Sequence, residues 1–184
     1  SSQTLVVSIL AGKTVHNITS RVTDAQAVIR AMPNTPASVG RGITGLFANA
    51  RTSAKQRQTA EALLAAIGRV EWVDREDLID AVTAVSGSGP AYVFYLVECM
   101  TKAGMALGLE EELAARLARA TVEGSGELLF RDPSHSASVL RQNVTSPGGT
   151  TAAALKVLMA PDGLEPLLVK ALAAARQRAA ELSG

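Results

Sequence analysis

The chain changes character near Ile79 and Asp80, and this change limits the folds that its 184 residues can adopt. Before it, short β-branched and aliphatic runs alternate with helical patterns. The first run, residues 5–10, is typical of a strand that is covered on both faces of a sheet. After it, almost every segment has the spacing of a helix. The sequence therefore predicts an α/β part followed by an all-α part.

Four strands are predicted in the first part, at residues 5–10, 27–32, 45–48 and 70–73. Ser53 has the side chain of a helix N-cap, and it precedes apolar residues at helical spacing. Strands that alternate with helices form sheets whose ligands bind beyond the carboxyl ends of the strands. The loops that follow the strands are therefore candidates for ligand contacts.

The helical part contains more apolar surface than one small core needs. Residues 89–107 are apolar on almost every face, which predicts a central buried helix. The last helix carries a long apolar stripe, made of Leu164, Leu168, Ala171, Ala175, Ala179 and Leu182. This stripe predicts burial against a second copy of the chain.

Residues 143–151, with the sequence Asn-Val-Thr-Ser-Pro-Gly-Gly-Thr-Thr, form the clearest candidate for a binding site. Proline and two glycines break regular structure, and Thr150 or Thr151 is expected to cap a helix that runs through Leu158. Such a turn gathers free backbone N–H groups at the positive end of a helix dipole, which suits a carboxylate or a phosphate. An ordinary loop with a threonine cap is the alternative.

Several classes of function are disfavoured by composition and spacing. The formal net charge is +1 and no basic run interleaves with aromatic residues, so nothing points to nucleic acid. The two histidines, His16 and His135, have no neighbouring ligands at metal-site spacing. Residues 86–89 read Ser-Gly-Ser-Gly and fail the G-x-S-x-G pattern of serine hydrolases.

The location is predicted to be cytoplasmic. The longest apolar stretch, residues 91–109, is interrupted by Glu98 and Lys102, which argues against a membrane span. The first residues lack the basic start of a signal peptide. A single cysteine, Cys99, cannot form a disulfide within the chain, and this fits a reducing compartment.

Five segments in order resemble the pyrroline-5-carboxylate reductase family over nearly the whole chain. They are residues 7–12 (Val-Ser-Ile-Leu-Ala-Gly), 30–36 (Arg-Ala-Met-Pro-Asn-Thr-Pro), 77–83 (Asp-Leu-Ile-Asp-Ala-Val-Thr), 86–92 (Ser-Gly-Ser-Gly-Pro-Ala-Tyr) and 144–151 (Val-Thr-Ser-Pro-Gly-Gly-Thr-Thr). The resemblance implies the second half of a Rossmann domain over residues 1–77. A helical dimerisation domain, like the C-terminal domain of 6-phosphogluconate dehydrogenase, would follow over 78–184.

The resemblance also implies an activity, which is reduction of 1-pyrroline-5-carboxylate to L-proline with NADPH or NADH. The family forms dimers through its helical domain, and assembly above the dimer is left open. Because the implied Rossmann domain lacks its first strand and glycine-rich phosphate loop, this chain alone is expected to bind cofactor weakly.

Roles for single residues follow from the resemblance alone. The implied cofactor-binding residues are Ile9, Leu10, Ala11, Met32, Pro33, Asn34 and Asn143. The implied substrate-binding residues are Glu76, Ser146, Gly149, Thr150 and Thr151. Thr151 is the catalytic candidate, through a hydrogen bond to the ring nitrogen, and no metal is expected.

Two other functions stay open at this point. One is a helical assembly module without enzymatic activity, which would share the predicted dimer surface. The other is a hydroxy-acid dehydrogenase with the same two-domain plan, for which Lys102 or Lys156 would serve as acid and base. Neither lysine lies in a motif that supports this role.

Overall fold

The computed structural model describes residues 4–22 and 26–183. The chain divides into two compact units. Residues up to Pro90 form one unit together with those from Lys170 onward, and residues 91–169 form the other. The predicted domains, 1–77 and 78–184, stay a prediction. Among the described residues, no helix is long and apolar enough to cross a membrane.

A four-stranded sheet forms the centre of the first unit. Its strands are β1 (Leu5–Ser8), β2 (Ala27–Met32), β3 (Gly42–Ala48) and β4 (Gly68–Trp72), and they lie in the order in which they occur in the chain. The pairs β1–β2 and β3–β4 are parallel, whereas β2 and β3 are antiparallel. Only residues 33–41 link β2 to β3, which is too short for a helical crossover between parallel strands. The short third strand predicted at 45–48 begins earlier, at Gly42.

One face of the sheet packs against helix α2 (Ala54–Ala65) and forms the apolar core. The core residues are Ile29, Ala31, Leu46, Ala48, Ala60 and Leu64. Ser53 caps α2 as predicted, because its hydroxyl accepts a hydrogen bond from the backbone N–H of Gln56. The Gln56 side chain completes the capping box by bonding the backbone N–H of Ser53.

The other helices follow the predicted order, and the succession of an α/β part and an all-α part is confirmed. They are α1 (Val15–Thr19), α3 (Leu78–Val82), α4 (Gly89–Ala106), α5 (Glu111–Arg131), α6 (Ala137–Asn143), α7 (Thr150–Leu158) and α8 (Leu164–Ser183). Between α3 and α4, one π-helical turn spans Thr83–Gly87, where the Ser88 N–H donates to the carbonyl of Thr83 at 2.8 Å. Such turns insert one extra residue into a helix.

Helix α4 corrects the prediction of a central buried helix. No residue of α4 is buried within the chain, and Phe94 and Tyr95 are 63% and 61% exposed. Its contact with α5 is close at one point, because a Cβ atom added to Gly104 would lie 3.1 Å from the Cβ of Ala114. Apolarity on every face thus predicted burial that the single chain does not provide.

Candidate functional site

The predicted cofactor residues of the first unit follow two neighbouring parallel strands. Ile9, Leu10 and Ala11 come after β1, and Met32, Pro33 and Asn34 stand at the end of β2. Since parallel strands end at the same edge of a sheet, the structure brings these two groups together. This edge is where α/β sheets bind their ligands.

The side chains at this edge differ in how available they are. Ile9 and Leu10 are each 61% exposed, so most of the surface of these two apolar residues is open to solvent. Met32 is only 6% exposed, and its sulfur lies 3.6 Å from a Cβ atom built on Gly87. The groups at this edge that a ligand could contact are therefore the side chains of Ile9 and Leu10 and backbone atoms near Met32.

Asn34 uses both ends of its amide to join other segments. Its Oδ1 accepts a hydrogen bond from the backbone N–H of Ile43 at 2.9 Å, and its Nδ2 donates to the carbonyl of Ser86 at 3.2 Å. The first bond holds the start of β3. The second satisfies a carbonyl in the π-helical turn, where regular backbone pairing is interrupted. Asn34 thus ties the end of β2 to the start of the helical region.

Glu76 precedes α3 and has two close partners in the first unit. Its Oε1 accepts a hydrogen bond from Arg30 Nη1 at 3.0 Å and another from the backbone N–H of Val15 at 2.6 Å. Arg30 lies in β2, and its side chain is 4% exposed against 29% for Glu76. The carboxylate that was predicted to contact substrate is therefore also one half of a partly buried ion pair.

The turn at residues 146–149 has the geometry that its sequence predicts. The backbone N–H of Gly149 donates to the carbonyl of Ser146 at 3.0 Å, which closes a four-residue turn. Pro147 occupies the second position, and Gly148 has a φ of +71° at the third. A type II turn favours proline and glycine at these two positions, because proline fixes φ and glycine tolerates the left-handed region.

Helix α7 begins directly after this turn, and its N-cap corrects the prediction of a threonine cap. The N-cap is Gly149, which has an extended backbone and no side chain to bond the first turn. Thr150 and Thr151 are the first two helical residues instead. Neither hydroxyl has a hydrogen-bond partner among residues 4–22 and 26–183. The start of α7 therefore offers uncapped N–H groups beside two free hydroxyls.

Asn143, the remaining predicted cofactor residue, ends α6 and is exposed. The loop before α6 holds a polar cluster to which no role is assigned. In it, Asp132 accepts a hydrogen bond from the Ser134 hydroxyl at 2.7 Å and contacts the ring of His135 at 2.8 Å. The Ser134 hydrogen bond, followed by the interaction with His135, lowers the pKa of the Asp132 carboxyl.

The structure thus groups the predicted site residues in two places. One is the strand edge of the first unit, and Glu76 lies in the same unit, bonded to Arg30 of β2 and to Val15 of α1. The other is the turn before α7, which collects Ser146, Gly149, Thr150 and Thr151 next to Asn143 at the end of α6. Within the described parts of the chain, no three His, Cys, Asp or Glu side chains are placed to hold a metal ion.

Sequence reasoning missed Arg30 as a functional candidate. A signal for it was present, because Arg30 is the one charged residue in the apolar run of β2. A charge inside such a strand requires a partner, since an unpaired buried charge is costly. The identity of that partner depends on tertiary structure, because Glu76 lies 46 residues further along the chain.

Comparison with known proteins identifies the family that this chain resembles. A family profile described as pyrroline-5-carboxylate reductase dimerisation matches residues 76–182. A pyrroline-5-carboxylate reductase of Pseudomonas aeruginosa is 48% identical over 97% of this chain and 65% of its own length. One of Synechocystis is 43% identical, over 99% of this chain and 67% of the relative.

Solved structures give the same picture. A pyrroline-5-carboxylate reductase from Coxiella burnetii superposes with a TM-score of 0.92 and 45% identity, and the match covers this whole chain and 68% of that one. A Plasmodium falciparum pyrroline carboxylate reductase, solved with NADP bound, has a TM-score of 0.82 and 28% identity, with 69% of its length covered. The chain spans less than two thirds of some relatives, such as 58% of the Haemophilus influenzae protein. On these matches, the chain belongs to the pyrroline-5-carboxylate reductase family.

Proposed function

We propose that the protein transfers a hydride from NADPH or NADH to the C=N bond of 1-pyrroline-5-carboxylate and thereby makes L-proline. It is then an oxidoreductase of proline biosynthesis. The observation that carries the proposal is the uncapped start of α7, where two threonine hydroxyls have no partner among the described residues. It occurs in a chain that is 48% identical to the Pseudomonas aeruginosa pyrroline-5-carboxylate reductase. This arrangement suits a small ring that carries one carboxylate and one polar nitrogen.

The turn before α7 is proposed to hold the substrate. Its carboxylate would accept hydrogen bonds from the backbone N–H groups of Thr150 and Thr151, the first two residues of α7, where the helix dipole favours negative charge. The Ser146 hydroxyl would add a further donor. Thr151 would bond the ring nitrogen and stabilise the protonated imine in the orientation that accepts hydride. Catalysis then rests on positioning and electrostatics, without a nucleophile.

The edge at the ends of β1 and β2 fits the nicotinamide end of the cofactor. The exposed side chains of Ile9 and Leu10, with Ala11 beside them, offer an apolar surface for a flat ring. Backbone atoms at Met32 and Asn34, together with the ring of Pro33, would form the second side, and Asn143 is proposed as a further contact. When bound, the cofactor supplies the hydride.

The test is an initial-rate assay on the longest reading frame that contains this chain, with the chain alone in parallel. NADPH and NADH are each offered with 1-pyrroline-5-carboxylate, with 1-pyrroline, which lacks the carboxylate, and with a 2-keto acid. We expect cofactor oxidation with 1-pyrroline-5-carboxylate. The rate with 1-pyrroline should be about 100-fold lower, because the charged hydrogen bonds to the carboxylate are lost. Oxidation with the keto acid alone would favour the hydroxy-acid dehydrogenase instead.

A homodimer is the proposed assembly, through the apolar surfaces of the helices. Phe94 of α4 is 63% exposed, Leu128 of α5 is 62% exposed and Leu167 of α8 is 63% exposed. Exposed apolar surface on this scale marks an interaction site. A second copy is the proposed occupant, because the family profile matched over residues 76–182 is one for dimerisation.

Light scattering tests this assembly. For this chain we expect at least twice the monomer mass of 19.1 kDa. Phe94→Asp should shift the mass towards the monomer because it places a charge in an apolar interface, whereas Phe94→Leu should leave the mass unchanged. A monomer at micromolar concentration would rule out the helical dimer.

The remaining predictions concern the surroundings of the protein. A cytoplasmic location is supported by the single cysteine, which cannot form a disulfide within the chain. The absence of a nucleic-acid partner is supported by the net charge of +1 and stays a prediction. Whether the chain alone binds cofactor weakly is decided by comparing its dissociation constant for NADPH with that of the longest reading frame.

A further inference from the structure

The pairing of Arg30 with Glu76 joins three segments of the first unit that are distant in sequence. Arg30 comes from the middle of β2, Glu76 from the segment after β4, and Val15 from the first turn of α1. One oxygen of Glu76 serves both partners, at 3.0 Å from Arg30 Nη1 and 2.6 Å from the Val15 nitrogen. The pair therefore links the sheet to the start of α1.

Because the Arg30 side chain is buried, its charge requires the pairing with Glu76. The Arg30 side chain is 4% exposed, and its Nη2 atom has no hydrogen-bond partner in the described part of the chain. A buried guanidinium is tolerated when an opposite charge and hydrogen bonds compensate for lost hydration. Because Glu76 provides that charge, movement of its carboxylate away from Arg30 would leave the cation unpaired.

The same carboxylate completes the N-terminus of α1. Thr14 and Asn17 form a capping box, in which the Thr14 hydroxyl accepts from the Asn17 N–H and the Asn17 side chain accepts from the Thr14 N–H. The Val15 N–H lies between these two bonded groups and is left for Glu76. A negative charge at this position is also favoured by the helix dipole.

The segment that precedes α1 is the predicted nicotinamide contact, residues 9–11. Beyond it, Gly12 has a φ of +66°, and a Cβ atom there would lie 2.8 Å from the Cβ of Leu182 in α8. The loop from Ile9 to Thr14 is thus fixed at Gly12 by packing and just after Thr14 by Glu76. Its conformation depends on both anchors.

We propose that Arg30 and Glu76 are positioning residues, which act together to fix the loop of residues 9–14 that forms the cofactor surface. The link to cofactor rests on the proposed function, whereas the anchoring of the loop does not. A direct contact of Glu76 with substrate is the competing role. The two roles differ in which ligand senses the loss of Glu76, and in whether Arg30 shares the effect.

Hydrogen exchange of the segment 9–19 tests the anchoring without reference to activity. Glu76→Gln and Arg30→Met should each accelerate its amide exchange about tenfold. Each variant weakens a hydrogen bond to a charged group, which raises the equilibrium constant for local opening of the segment by about this factor. Arg75→Gln is the matched control, because it removes the exposed neighbouring pair with Asp77 and should change nothing. Unaltered protection in Glu76→Gln, whose shape is conserved, would overturn the proposal.

Ligand binding then separates the two roles. In both variants we expect the dissociation constant for NADPH, read from its own fluorescence, to rise about tenfold. The KM for 1-pyrroline-5-carboxylate should stay within about twofold. The dissociation constant of the double variant for NADPH should not exceed that of the single variant that binds NADPH less tightly, because residues that act as one unit do not have additive effects. A higher KM for the substrate alone, in Glu76→Gln but not in Arg30→Met, would refute the positioning role. If the protein has no reductase activity, the exchange and NADPH measurements still decide.

Discussion

Gly68→Ala should destabilise the fold strongly, through two effects that act at the same position. Gly68 begins β4 with a φ of +149°, a region that other residues rarely adopt. It pairs with Gly42 across the sheet, and an added Cβ would overlap the Gly42 carbonyl and lie 2.7 Å from its nitrogen. Backbone strain and overpacking each cost about 1–3 kcal/mol, so we expect the free energy of unfolding to fall by roughly 2–6 kcal/mol.

Denaturant unfolding measures this loss, and Gly40→Ala is its matched control. Gly40 also has a positive φ, of +67°, but an added Cβ would meet no atom within 4 Å. Its alanine variant therefore carries only the backbone strain, about 1–2 kcal/mol. Equal losses in the two variants would show that β3 and β4 do not approach each other through their glycines.

Thr151→Val should have the largest effect on activity. Thr151 is the second residue of α7, half-buried, and its hydroxyl has no partner among the described residues. Valine keeps the shape and removes only the group proposed to bond the ring nitrogen. Loss of one preorganised hydrogen-bonding group, here the hydroxyl oxygen that would accept from the protonated ring nitrogen, costs about 100-fold or more in rate, and we expect that loss in kcat/KM for 1-pyrroline-5-carboxylate.

Two further variants show whether the hydroxyl itself matters. Thr151→Ser restores the hydroxyl and should retain activity within about tenfold of the wild type, because only a methyl group is lost. Thr59→Val alters an exposed threonine of α2, whose hydroxyl bonds the carbonyl of Lys55, and should have no effect on rate. Equal activity of the serine and valine variants at position 151 would remove Thr151 from the mechanism.

Local chemistry explains why the order of elements could be predicted. The capping box of Ser53 with Gln56 and the Pro-Gly turn before α7 depend on neighbours within four residues, so the sequence contains all the relevant information. At the same place the prediction that Thr150 or Thr151 caps the helix was wrong, because the N-cap is Gly149. Gly148 completes the turn with its positive φ, which leaves Gly149 extended and moves both threonines into the helix.

Contacts between distant segments set the limit of prediction. That Asn34 bridges Ile43 and Ser86, and that Glu76 pairs with Arg30, depends on which strands are neighbours and on the π-helical turn. Neither feature has a local pattern. The exposure of α4 arises in another way, because an apolar pattern indicates that a surface is covered without indicating which chain covers it.

The most direct test of the reductase proposal is isotopic. The longest reading frame that contains this chain is supplied with 1-pyrroline-5-carboxylate and with NADPH that carries deuterium at the transferable position of C4, and the L-proline formed is examined by NMR. We predict deuterium at the ring carbon that was double-bonded to nitrogen. A folded protein that forms no L-proline, or places deuterium at the carbon bearing the carboxylate, would contradict the proposed reaction.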